Sequence, residues 1–128
     1  QIHQESTTRL YSCIEKIKSR GVKAGVVLSP ATNEDTLKYV LDKIDMILLM
    51  TINPGEAGPG FHEELLTKIK NVRELIGDRD IDLEVDGGID NTNIAKCKEA
   101  GVNVFVSGGY VFKGDIAEKI KTLREALK

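Results

Sequence analysis

Five apolar residues in a row, Met46-Ile47-Leu48-Leu49-Met50, constrain this chain more than any other feature. A strand with one wet face alternates apolar and polar side chains. A run that is apolar throughout must be covered on both faces, as central strands of parallel sheets flanked by helices are. Residues 24–28 carry a second short run of this kind, and residues 81–86, where Leu83 and Val85 suit a strand, and 102–107 read as two further strands. Helical stripes fall before and between them: Leu10, Cys13, Ile14 and Ile17 within 6–20, then Leu37, Val40, Leu41 and Ile44 after Thr32, and Leu65, Ile69, Val72 and Ile76. Ile94 and Cys97 mark a short fourth helix, and Ile116, Ile120, Leu123 and Leu127 a last one. Strand, loop and helix repeat four times, which predicts an α/β fold with a parallel sheet and outer helices.

Local signals set the expected boundaries. Gly21, Gly77 and Gly101 stand where helices end. Thr32 with Asp35 three positions on resembles a capping box, and Asn91 is placed to open the helix through Ile94. Val26, Leu48 and Val85 are expected on the inner face of the sheet, where they need cover.

In parallel α/β proteins ligands bind beyond the carboxyl ends of the strands, so the loops released there are the candidate site. Asp86-Gly87-Gly88 presents a carboxylate at the end of a buried strand, followed by two glycines that let backbone approach a ligand. Ser107-Gly108-Gly109 repeats the glycine pair one strand later. The longest loop, residues 53–60, holds three glycines and two prolines and can approach a ligand or act as a lid. The competing reading of Asp86 is a plain turn residue, because Asp-Gly is a common turn dipeptide.

The composition, 41% hydrophobic and 30% charged over 128 residues, is that of an ordinary globular domain. A net charge of −2 argues against a nucleic-acid surface, and no apolar stretch is long enough to span a membrane. No signal-peptide pattern is present, and Cys13 and Cys97, without a CxxC or CxxH spacing, read as buried free thiols, which points to a reducing cytoplasm.

Three strand ends taken together, Met50-Thr51-Ile52-Asn53-Pro54-Gly55, Glu84-Val85-Asp86-Gly87-Gly88-Ile89 and Val106-Ser107-Gly108-Gly109, resemble the ribulose-phosphate 3-epimerase family. His3-Gln4-Glu5 adds a fourth match, to the His-x-Glu that follows the fourth strand of that family's (β/α)8 barrel. The resemblance implies that residues 1–128 are a single half-barrel domain, the carboxyl-terminal half of a TIM barrel from the end of strand four through helix eight.

It further implies a ketose-phosphate 3-epimerase acting on ribulose 5-phosphate or a hexulose 6-phosphate such as allulose 6-phosphate. Asp86 would be both a catalytic acid/base and a ligand of a divalent metal (zinc, iron, manganese or cobalt). Met50, Gly55, Glu56, Ala57, Gly58, Gly87, Gly88, Gly108 and Gly109 would contact the sugar phosphate. The second acid and the remaining metal ligands belong to strands outside these residues, so the half barrel is expected to form a homo-oligomer or to pair with the missing amino-terminal half. Where the family has Phe and Gln in its loop, this chain has Glu56 and Pro59, and Gly109 replaces a Ser. Two rival readings are a related phosphate-binding decarboxylase and a non-catalytic half barrel that only binds phosphate.

Overall fold

The computed structural model describes residues 1–56 and 60–128. Its five strands are β1 (Ile2–His3), β2 (Gly25–Leu28), β3 (Met46–Met50), β4 (Asp82–Asp86) and β5 (Val104–Val106). They form one sheet in chain order, and every pairing is parallel. The helices are α1 (Leu10–Lys18), α2 (Leu65–Ile76), α3 (Ile94–Ala100), α4 (Gly109–Phe112) and α5 (Ile116–Ala126). This is the α/β arrangement that the apolar runs predict. The two residues of β1, expected as the tail of a strand, pair with Val26 and Val27.

Register divides each strand between two environments. Val26, Ile47 and Leu83 lie side by side, as do Leu28, Leu49, Val85 and Phe105. Val26, Leu28, Ile47, Leu49, Leu83 and Val85 pack in one cluster with Ile14, Ile69, Val72, Ile76, Ile94 and Leu123 of the helices. Burying each of these aliphatic side chains contributes about 1.5–3 kcal/mol. The other face carries His3, Val27, Leu48 and Glu84 in one row and Met50, Asp86 and Val106 in the next. Leu48 is therefore on the inner face as expected, but Val26 and Val85 are not. Successive strand residues point to opposite faces, and both lie one position out of phase with Leu48.

Three boundaries differ from the sequence reading. The helix expected from Ser6 begins only at Leu10, because the Thr7 side chain accepts the Arg9 N–H at 3.0 Å and holds an extended turn ahead of it. The stripe Leu37, Val40, Leu41 and Ile44 is buried as its spacing requires, yet the backbone makes two 3-10 turns, Glu34–Leu37 and Leu41–Lys43, instead of an α-helix. Spacings of three within each pair, Leu37 to Val40 and Leu41 to Ile44, suit a three-residue turn. Thr32 does not cap it: Asn33 accepts the Asp35 N–H at 2.8 Å, and the Thr32 hydroxyl is engaged elsewhere. Nor does Asn91 open α3, a place taken by Asn93.

Gly21, Gly77 and Gly101 follow their helices with positive φ, as expected. Cys13 and Cys97 are free thiols, Cys97 fully buried and Cys13 partly so. Among the described residues no helix is long and apolar enough to cross a membrane.

Candidate active site

Parallel register brings the loops after β3, β4 and β5 to one edge of the sheet, and those of the expected site residues that the structure describes gather there. Met50 pairs with Asp86, and Asp86 with Val106. Asp86 ends β4 half-buried. Among the described residues its carboxylate takes part in no hydrogen bond or ion pair, and burial raises its pKa above the ordinary Asp value. A carboxylate without a protein partner at a loop mouth is placed to accept a proton from a ligand.

The turn after Asp86 is tied down from three sides. The fully buried Thr51 hydroxyl donates to the Gly87 carbonyl at 2.5 Å, the Asn93 amide to the Gly88 carbonyl at 2.8 Å, and the Ser107 hydroxyl to the Ile89 carbonyl at 2.6 Å. Asn93 in turn accepts the Asp90 N–H at 3.1 Å, while Asp90 accepts from Thr92. Three consecutive carbonyl oxygens, each of which would repel an anion, are thus engaged by protein. Sequence reading missed Thr51, Asn93 and Ser107. Their only signal is that each is a small polar residue, Thr51 and Ser107 directly after a strand and Asn93 directly before a helix.

The glycines divide into two kinds. At Gly87 (φ +127) a Cβ would lie 2.6 Å from Ile52 Cγ1, and at Gly88 (φ +67) it would lie 2.9 Å from the Phe61 nitrogen. These two are glycines because other backbone passes against them. A Cβ at Gly108 or Gly109 would meet nothing within 4 Å, and both residues are exposed. Space for a ligand is therefore open after β5, while the side-chain space after β4 is already filled by the protein.

In the loop after β3, Asn53-Pro54-Gly55-Glu56 is a turn closed by the Glu56 N–H on the Asn53 carbonyl at 3.1 Å, with Gly55 at φ +82. Glu56 faces solvent, and its carboxylate accepts from the Asn53 amide at 3.3 Å. Ala57 and Gly58 lie outside the described residues. His62 is an exposed side chain whose Nδ1 lies 3.7 Å from the Glu64 carboxylate.

Of the described side chains near Asp86, none completes a metal-binding group. Among the described residues no group of three His, Cys, Asp or Glu side chains converges on one point. His3 lies in the row below Asp86, on a strand separated from β4 by β2 and β3, and its Nδ1 is 3.5 Å from Glu5. These residues do not by themselves build a metal centre.

The model of the "Ribulose-phosphate 3 epimerase family" matches residues 1–112. The chain is 48% identical over 112 residues to the ribulose-phosphate 3-epimerase of Serratia marcescens, an alignment covering 86% of this chain and 53% of that protein. It is 42% identical over 124 residues to the chloroplastic ribulose-5-phosphate-3-epimerase of Arabidopsis thaliana, covering 94% and 44%. It is 41% identical over 128 residues to the ribulose-phosphate 3-epimerase of Escherichia coli K12, covering 98% and 57%. The chain thus spans about half the length of the curated relatives it matches. With the barrel-like order of its strands, the residues gathered at their carboxyl ends and this match over most of its length, the chain belongs to the ribulose-phosphate 3-epimerase family.

Proposed function

We propose that this chain supplies one side of the active site of a ketose-phosphate 3-epimerase, with ribulose 5-phosphate the substrate its relatives' names favour. The observation that carries the reading is Asp86: half-buried, unpaired among the described residues and set at the carboxyl end of β4 beside Met50. Its carboxylate would take the proton from C3 next to the ketose carbonyl, leaving an enediolate. An acid from outside these 128 residues would return a proton to the opposite face, inverting the centre.

The backbone after β4 and β5 would hold the phosphate. The carbonyls of Gly87, Gly88 and Ile89 are already engaged, which leaves N–H groups to favour the anion, and Gly108 and Gly109 leave room for it to approach. Glu56 turns to solvent, so the departure from the family's loop puts no carboxylate against the phosphate. Asp86 is the one donor this chain would bring to a divalent metal, which when bound polarises a carbonyl oxygen.

The test is made on the complete barrel in deuterated water. Deuterium entering C3 of ribulose 5-phosphate, and its loss by a factor of at least about 10² to 10⁴ in Asp86→Asn, is expected. Release of carbon dioxide from a sugar-acid phosphate without C3 exchange would establish the decarboxylase reading instead.

A further inference from the structure

His3-Gln4-Glu5 takes no part in the proton transfer proposed above, and neither does Lys68, a buried cation on α2 that is only 9% exposed. Both reach the same four residues. The Glu5 carboxylate accepts the Ser29 N–H at 2.9 Å and the Thr32 hydroxyl, so one oxygen spans both ends of the loop that follows β2. From the helix layer, Lys68 Nζ donates to the Ser29 carbonyl at 2.9 Å and the Pro30 carbonyl at 3.1 Å.

This loop is a wall of the same mouth. Leu28 pairs with Leu49 and Met50 with Asp86, so Ser29, the next residue along β2, falls beside Met50 and two strands from Asp86, about 10 Å away at ordinary strand spacing. On the Asp86 side of the mouth the carbonyls of Gly87, Gly88 and Ile89 are drawn onto protein donors. On the Ser29 side Lys68 does the same for two more.

We propose that Glu5 and Lys68 are positioning residues that lock residues 29–32 from opposite sides, turning the Ser29 and Pro30 carbonyls away from a phosphorylated substrate. An unheld loop would swing partial negative charge into the mouth on the side away from Gly108, where the rest of a dianionic substrate lies, and weaken its binding, with little effect on proton transfer at Asp86. Burial works against the charge on Glu5, but the Thr32 hydroxyl and Ser29 N–H outweigh it and hold the carboxyl down at about 2, so this anchor stays ionised at any working pH. Burial lowers the Lys68 pKa, opposed by the carboxylates of Glu34 and Glu5.

The inference rests on the epimerase reading for its kinetic arm, and a second arm needs no reaction. In the complete barrel, Lys68→Met and Glu5→Ala should each raise KM for ribulose 5-phosphate about tenfold while kcat stays within about twofold, the signature of lost ground-state binding. Lys68→Arg and Glu5→Gln, which keep a donor and an acceptor in place, should restore most of the affinity. An unchanged KM, a fall confined to kcat, or Glu5→Gln behaving like Glu5→Ala would overturn the proposal.

Amide hydrogen exchange at Ser29 and Thr32 in the same variants reads the lock directly. Faster exchange in Lys68→Met and Glu5→Ala than in the unaltered protein is expected, and equal exchange overturns the lock even if the barrel epimerises nothing. If Lys68→Met fails to fold, Glu5→Ala and the two conservative variants carry both arms. Absence of activity in the unaltered barrel would count against the epimerase reading alone.

Discussion

Gly87 lies so close to Ile52 that a Cβ on it would be 2.6 Å from the Ile52 side chain and 2.7 Å from the Ile52 nitrogen. The contact locks the turn after Asp86 onto the loop after β3. Gly87→Ala meets that overlap together with a φ of +127, so it should destabilise the fold by about 3 kcal/mol, adding overpacking to backbone strain. Gly108→Ala, at negative φ with open space around it, should stay within about 0.5 kcal/mol of the unaltered chain. Urea unfolding of the two variants separates them. A bulkier Gly108→Val should weaken phosphate binding in calorimetry, and unchanged affinity would remove Gly108 from the site.

Thr51 and the Gly87 carbonyl form a buried pair at the same junction. Thr51→Val keeps the shape and strands the acceptor, an expected loss of about 1–3 kcal/mol. Phosphate affinity should drop with it, because the Gly87 oxygen is freed to face the anion. A variant as stable and as retentive of phosphate as the parent would show that this hydrogen bond holds nothing in place.

Asp86 offers a contrast between stability and chemistry. Burial raises its pKa in the folded chain, so at neutral pH the fold carries a carboxylate less well solvated than in the unfolded state. Asp86→Asn should therefore raise the thermal midpoint of the metal-free 128-residue chain while removing the carboxylate proposed to react. A lowered midpoint would mean that the carboxylate has a stabilising partner and is not held in readiness.

Glu5 sets an acid limb. Its folded pKa is about 2 against an ordinary 4.5, so the stability it contributes is present above about pH 4.5 and drains away as pH falls toward 2. The side chain is 38% exposed, and solvent screening keeps the effect small. Glu5→Gln should flatten this part of the stability–pH curve, as followed by urea midpoints between pH 2 and 7. Superimposable curves would show that Glu5 does not feel the Ser29 and Thr32 donors.

On the inner sheet face, opposite the helix layer, Val27 and Leu48 are already buried within the chain, but Met46, Met50, Val104 and Val106 beside them are only half-buried, and the two edge strands β1 and β5 are short. Apolar surface of that kind drives association. The 128-residue chain alone should sediment as an oligomer, or bind an apolar dye and lose that binding when joined to the amino-terminal half of one of its relatives' barrels. A monodisperse 14.1 kDa species that binds no dye would refute this.

Although the helix expected over 37–44 formed 3-10 turns and α4 left no stripe to read, the order of the strands was legible in the residues alone, because burial on both faces leaves a mark within five consecutive positions, as 46–50 shows. So was the clustering at the strand ends of Asp86, Gly108 and the Asn53-Pro54-Gly55 turn, since parallel connections return every strand's carboxyl end to the same edge. What each residue does there was decided by tertiary structure. A strand apolar on both sides carries no record of which side faces the helices, so Val26 and Val85 could be assigned only once register and packing set the phase against Leu48. Likewise Gly87 and Gly88 are glycines for the sake of Ile52 and Phe61, chain neighbours of other loops. The hydrogen bonds that hold the rim, from Thr51, Asn93, Ser107, Glu5 and Lys68, join residues whose nearness exists only after the sheet has formed.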